Sequence, residues 1–189
     1  MRLGKIKQVC KAARQVYILT ADGAVNNMVV QWIGTARALY PVVGLNLTLQ
    51  TLIVLWEMLD KAADLDMAEG TFSDMVDRGL LSEADAQLLR SVPAGVDPST
   101  MPLIGLGEIN GYKAVACGER DMMFIQDWML EPCYKQGSIH YDVVSGEGKR
   151  LAVYGRDAIV GLIWPVEASS AEALAGILRS MANRTVYGT

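Results

Sequence analysis

The sequence predicts an α+β protein: two related antiparallel β-meander plus helix halves with a helical insert between them. Three observations carry this reading. The hydrophobic period changes from helical to strand-like after residue 15. The segment Arg37-Ala38-Leu39-Tyr40-Pro41-Val42 is echoed by Gly161-Leu162-Ile163-Trp164-Pro165-Val166, and each copy runs into an apolar helical pattern. Between the copies, Ser91 to Gly107 holds Pro93, Gly95, Pro98, Pro102, Gly105 and Gly107, the clearest break in the chain. The expected organisation is residues 1–47 as an N-terminal helix plus meander, 48–94 as a helical acidic insert, and 95–189 as a C-terminal β-rich half ending in a helix. An aromatic-Pro-Val strand exit also arises twice by chance in a β-rich chain. Duplication makes the sharper demand, because it requires Tyr40 and Trp164 to occupy equivalent positions.

Leu3, Ile6, Val9, Cys10 and Ala13 recur at helical spacing, so the first fifteen residues should form an amphipathic helix with Arg2, Lys5, Lys7, Lys11 and Arg14 outward. Val16 to Leu19, Met28 to Ile33 and Arg37 to Val42 are β-branched and aromatic runs, with a turn signal at Ala21-Asp22-Gly23. Pro41 cannot donate to a ladder, which should end the third strand there or place it on an edge. Thr48 is an expected N-cap for a helix whose residues Leu49, Leu52, Ile53, Leu55, Trp56 and Leu59 cover more than half its circumference, so it should be sandwiched. Ala62 to Asp77 should continue as one or two acidic helices broken at Gly70, with Gly79 as a C-cap and Ser82 with Asp85 as a capping box for a helix to about Arg90.

Beyond the break, Tyr112 to Cys117 and Met122 to Ile125 read as strands, while Pro132 makes Gln126 to Tyr134 ambiguous. Ser138 to Val144, Arg150 to Tyr154 and Ala158 to Val166 form the second expected meander. A terminal helix capped by Ser169 or Ser170 carries Ala173, Leu174, Ile177, Leu178 and Met181. Met122, Met123 and Met129 are read first as core filler, because methionine suits irregular packing.

With 189 residues, 51% hydrophobic and 20% charged, the chain can bury one continuous core or two intimately packed halves, and its composition excludes a disordered protein. Cys10, Cys117 and Cys133 are odd in number and widely spaced, which suits a reducing compartment, the cytoplasm. The basic start lacks the apolar core of a secretory signal. The greasy run Leu45 to Trp56 contains Asn46, Thr48, Gln50 and Thr51 and is too short to span a bilayer, so no membrane partner is expected.

Charge is uneven. Residues 1–15 hold five Lys/Arg and no acid, whereas residues 57–85 hold nine acids (Glu57, Asp60, Asp64, Asp66, Glu69, Asp74, Asp77, Glu83, Asp85) against Lys61 and Arg78. Such polarity steers association with charged partners, and solvated helix faces carry it too. The candidate contact residues are therefore Arg2, Lys5, Lys7, Lys11 and Arg14 toward nucleic acid or an acidic partner, and Glu57, Asp60, Asp64, Asp66, Glu69, Asp74 and Asp77 toward a basic one. Five positive charges without neighbouring aromatics imply weak, salt-sensitive, sequence-independent nucleic-acid contact.

No catalytic signature emerges. The single histidine, His140, lies in a strand-like run, with Cys133 seven residues upstream and Asp142 two downstream. A Cys133/His140 enzyme is one alternative, and it needs both in a concave pocket with polar partners. Zinc wants four Cys or His ligands in paired spacings, and the carboxylate run from Asp60 to Glu69 lacks the register of a calcium loop, so neither metal nor cofactor is expected. Gly105-Leu106-Gly107 and Gly146-Glu147-Gly148-Lys149 lack phosphate-loop spacing and read as turns.

The run Gln31-Trp32-Ile33-Gly34-Thr35-Ala36-Arg37-Ala38-Leu39-Tyr40-Pro41-Val42-Val43-Gly44-Leu45, after the basic start Met1 to Ile6, resembles small uncharacterised proteins encoded by prophages of Gram-positive gut bacteria. Some such accessory proteins are anti-CRISPR inhibitors of the nuclease Cas9. The likeness covers about the first 45 residues well and the rest in outline, and none of that group's functional residues maps onto this chain. It implies a non-enzymatic mobile-element protein in the bacterial host cytoplasm, acting on a protein or ribonucleoprotein partner such as Cas9 with its guide RNA. The helix, strands and apolar-Pro-Val exit, given twice, are also similar to the repeated subdomains of DNA sliding clamps. That implies a replication or recombination accessory, with homo-oligomerisation supplying the modules a ring needs.

Overall fold

The structure, a computed structural model, describes residues 3–22, 30–91, 105–109, 111–116, 122–134, 140–145, 148–155, 159–166 and 176. Its centre is a seven-stranded sheet in the order β4-β1-β2-β3-β10-β9-β8. The strands are β1 (Gln15–Thr20), β2 (Val30–Thr35), β3 (Ala38–Val43), β4 (Asp66–Thr71), β8 (His140–Ser145), β9 (Lys149–Tyr154) and β10 (Ile159–Ile163). A separate three-stranded sheet joins β5 (Gly105–Ile109), β6 (Tyr112–Ala116) and β7 (Met122–Gln126). The α+β class with antiparallel meanders therefore holds. Both meanders lie side by side in one sheet, joined where β3 meets β10.

The large sheet is buried on both faces, which explains unbroken apolar runs such as Val16-Tyr17-Ile18-Leu19. One face packs Val16, Ile18, Ile33 and Tyr40 against helix α1 (Leu3–Ala13), helix α2 (Leu49–Leu55), the small sheet and the segment around Met129 to Cys133. The other packs Tyr17, Leu19, Trp32 and Leu39 against α3 (Phe72–Asp77) and α4 (Glu83–Ser91). Met123 and Met129 are buried core residues, as filler should be.

Four local expectations are corrected. The acidic span is not purely helical, because Asp66 to Thr71 forms edge strand β4, parallel to β1 from Gln15↔Asp66 to Thr20↔Thr71. There Ala68 turns to one core and Met67 to the other, an alternation masked by the charged neighbours Asp66 and Glu69. Pro41 lies inside a central strand: β3 neither ends there nor lies on an edge. The Trp164 N–H donates to the Arg37 carbonyl at 2.9 Å, and alternate residues address the same neighbour, so Pro41 turns its missing donor toward β10. The β3–β10 ladder has lapsed there, since its register pairs only Leu39 with Leu162 and Ala38 with Ile163. Gly105-Leu106-Gly107 is the irregular strand β5 rather than a turn. Finally, α2 is packed on one side only: Leu52 and Ile53 are buried while Val54 and Leu55 are exposed.

Tyr40 and Trp164 do not occupy equivalent positions. Tyr40 is buried on the α1 face, with its hydroxyl donating to the Met129 carbonyl, and Trp164 packs on the α3–α4 face. The echoed segments are thus out of phase by one residue in the sheet, and such a slip exchanges faces. On this evidence of position, the echo is a likeness of strand chemistry rather than of place.

Two caps stand where the sequence places them: Thr48 caps α2, in a capping box with Thr51, and Ser82 Oγ pairs with Asp85 at the start of α4. A third, the Thr71–Asp74 capping box of α3, was not expected from the sequence. Asp22, beyond the end of β1, ties α3 to α4: it accepts from Arg90 Nη2 at 2.7 Å, Arg90 Nε at 3.1 Å and Ser73 Oγ at 3.1 Å. Burial pulls its carboxyl upward, but the Arg90 and Ser73 hydrogen bonds prevail and hold it below the usual aspartate range. A carboxyl lowered in the folded state contributes stability that is present above its unfolded pKa and lost as pH falls through the folded value. Urea midpoints measured from neutral pH down through the carboxylate range should therefore fall more steeply for the wild type than for Asp22→Asn; parallel curves would refute the linkage.

The terminal helix apart from the helical Gly176, the boundary near residue 95, and the turns at Gly23, Gly146-Glu147 and Arg156-Asp157 lie outside the described residues, as do Arg2 and Cys117.

Candidate functional site

Helix α1 seals Ile6, Val9 and Cys10 against the large sheet and leaves its charged side outward. Lys5 is paired with Glu131 at 2.6 Å, with both side chains more than a third exposed, a bridge worth at most about 1 kcal/mol. Lys7, Lys11 and Arg14 make no ion pair among the described residues. Arg14 ends the helix in the left-handed region at φ 55°, and its carbonyl accepts from Asp66 N–H at 3.0 Å, which locks the helix end to the start of β4.

That corner is organised by the two-residue β2–β3 turn, Ala36-Arg37. Thr35 Oγ1 accepts from the backbone of Arg37 and Ala38, both at 3.1 Å. The Ala36 N–H donates to Gln15 Oε1 at 3.3 Å, Gln15 Nε2 donates to Asp66 at 3.3 Å, and Tyr17 donates to the same carboxylate oxygen at 2.6 Å. Burial first, and then the bond and charge of Asp66, push the Tyr17 phenol up to about 12, so it remains a donor at neutral pH.

A cleft opens on each side of this turn, and both include Thr35 and Ala36. The first, about 380 Å³, lies on the α3–α4 face and is lined by Tyr17, Leu39, Leu81, Ser82, Asp85 and Trp164 among others. Asp85 there receives Arg150 Nε and Nη2, each at 3.0 Å, and the guanidinium lies 5.2 Å from the centre of the Trp164 ring. The second, about 360 Å³, lies beside the end of α1 and is lined by Ala12, Ala13, Gln15, Arg37, Gln126 and Trp128 among others. Sequence reading found no aromatic near the basic helix. The fold supplies Trp128 from a segment more than a hundred residues away, which no local pattern signals.

The acidic candidates are divided between tasks. Asp66 binds Tyr17 and Gln15, Glu69 accepts from the Leu49 N–H at 2.8 Å at the start of α2, and Asp74 accepts from the Thr71 N–H at 2.9 Å in a capping box. Glu57, Asp64 and Asp77 are exposed. The Asp60 side chain lies outside the described residues.

Cys133, the proposed nucleophile of the enzymatic alternative, is fully buried, and burial pushes its thiol up to about 12. A nucleophilic cysteine needs the opposite shift and an open site, so Cys133 is a packing residue. Its Sγ would lie 2.7 Å from a Cβ added at Gly161, which shows how closely it is packed under β10. The side chain of His140 lies outside the described residues. Among the described residues no group of three or more His, Cys, Asp or Glu is placed to hold a metal ion, and no helix is long and apolar enough to cross a membrane.

Comparison with protein families, with curated proteins and with solved structures finds no match.

Proposed function

We propose that this protein works by docking onto another macromolecule through the outer side of α1, and that it is an anti-CRISPR-type inhibitor of a Cas9 nuclease in the cytoplasm of a bacterial host. The observation that carries the reading is that Lys7, Lys11 and Arg14 make no ion pair among the described residues, on a helix whose opposite side is sealed into the core. Uncompensated charges on a rigid element favour association with a negatively charged partner, because preorganised charges steer encounter at little entropic cost. A guide-loaded nuclease offers such a surface in its RNA and bound DNA. The resemblance of residues 1–45 to prophage-encoded proteins supplies the nuclease as the partner class.

The test is DNA cleavage by guide-loaded Cas9 with and without the protein. The reading expects cutting to fall as the protein is added and to recover as salt is raised. Undiminished cutting at saturating protein would eliminate it for that nuclease.

A further inference from the structure

We propose that two copies of this chain pair edge to edge through β8, antiparallel about a two-fold axis at Val143, so that two seven-stranded sheets become one. The inference goes beyond the reading of α1 and does not rest on it. Sheet edges invite strand addition unless the fold blunts them, and the large and small sheets end on β4, β8, β5 and β7. Three of these edges are blunted. On β4 the Glu69 carbonyl accepts from Arg78 Nη1 at 3.3 Å and the Thr71 N–H donates to Asp74 at 2.9 Å. On β7 the Phe124 carbonyl accepts from the Val166 N–H at 2.9 Å, and β5 is broken by the register shift between Gly105 and Gly107. By contrast, β8 pairs with β9 from His140↔Tyr154 to Ser145↔Lys149 without a shift.

Ladder direction shows which groups of β8 are open. The Trp164 N–H addresses β3, so its neighbour Ile163 addresses β9, where it meets Leu151. Leu151 is thus spent on β10, and the alternate residues Arg150, Ala152 and Tyr154 turn to β8. Their partners Val144, Asp142 and His140 take the ladder bonds, which leaves the backbone N–H and C=O of Tyr141, Val143 and Ser145 on the outer side. None of these three makes a further backbone hydrogen bond among the described residues. Three features select a second copy as the occupant. An antiparallel pair centred on Val143 sets Tyr141 opposite Ser145 of the partner subunit, so every open donor meets an open acceptor, about six bonds in all. The same register sets Asp142 opposite Val144 of the partner subunit, which keeps the two aspartates from facing each other. Because β4 is blunted, a β8-to-β4 contact that would grow into a filament is closed off, and the two-fold pair is the assembly left.

The experiment is sedimentation equilibrium of the full chain. A lone strand pair is a small interface, below about 1,200 Å², so the dimer should be weak, with a dissociation constant on the order of 10⁻⁶–10⁻⁴ M. The mass should approach twice that of one chain as the concentration rises to the top of that range. Val143→Pro and, at the end of the strand, Ser145→Pro each delete an outward N–H and no bond to β9. Both should stay monomeric, Ser145→Pro at an unchanged melting temperature. Val144→Pro, which deletes an N–H spent on β9, should instead lower the melting temperature. Amide exchange of the wild type, read by NMR, needs no substitution: the Val143 N–H should exchange more slowly as the protein is concentrated. Three results would overturn the proposal: a wild type that is still a monomer at the highest concentration; a dimer that survives both Val143→Pro and Ser145→Pro; or exchange at Val143 that does not depend on concentration.

Discussion

Asp85→Ala is expected to destabilise the protein by about 4 kcal/mol, because it strands a buried guanidinium. The two side chains are nearly closed to solvent, at 6% for Asp85 and 11% for Arg150, and they meet through two hydrogen bonds of 3.0 Å. The Trp164 ring lies 5.2 Å from the guanidinium and shields it in part. The variant also loses the bond that the Ser82 hydroxyl donates to the Asp85 carboxylate at 2.8 Å, while the N–H of residue 85 still caps α4 on Ser82 Oγ. In a chain of this size each kcal/mol moves the melting temperature by about 2–4 °C, so thermal unfolding should shift by roughly 8–16 °C. The double variant Asp85→Ala/Arg150→Met should recover much of the loss, since it removes the orphaned charge while keeping its apolar stem. A single-variant loss below about 1 kcal/mol would mean that the pair behaves like an exposed bridge.

Gly34→Ala is expected to cost about 3 kcal/mol, from backbone collision rather than lost contacts. A Cβ at Gly34 would sit 1.9 Å from the Ala38 carbonyl oxygen and 2.9 Å from its carbon, atoms that cannot rotate away. Gly34 lies at the centre of the sheet, opposite Tyr17 in β1 and Leu39 in β3, so relief of the clash pulls two ladders apart. It also precedes the turn that separates the two clefts, and the variant should disturb both. Gly4→Ala is the matched control: nothing lies within 4 Å of a Cβ there, and in a helix alanine is better than glycine by about 0.5–1 kcal/mol. Chemical unfolding of the two variants should therefore move the midpoint in opposite directions. Equal midpoints for Gly34→Ala and the wild type would show that the hairpin is looser than described.

What could be read from sequence was whatever local chemistry determines. Alternation and β-branching found β1, β2 and β3, and the Thr48 and Ser82 caps stand where hydroxyl residues precede apolar helical patterns. Gly79, at φ 66°, ends the turn after α3 as a glycine in that position should. What escaped reading depends on partners distant in the chain. β4 exists because β1 offers a parallel edge, and its six residues carry two acids that read as a helix face. Pro41 is tolerated in mid-sheet only because the ladder to β10 ends before it. The site followed the same division. The cations of α1 were visible as a charge run, whereas Trp128 and Gln126 come beside Ala12 and Ala13 only through the packing of the small sheet on the α1 face. The acids, read as one surface, are split by the fold between caps and solvent, a fate decided residue by residue by which N–H lies within reach.

The most direct measurement is recovery of partner from cells carrying a CRISPR system, after nuclease digestion, by the wild type and by a Lys7→Glu/Lys11→Glu/Arg14→Glu variant with an unchanged melting temperature. The account predicts that the wild type retains the guide-loaded nuclease and that the charge-reversed protein loses it. Equal recovery by both proteins, or a wild type that retains no ribonucleoprotein, would contradict it.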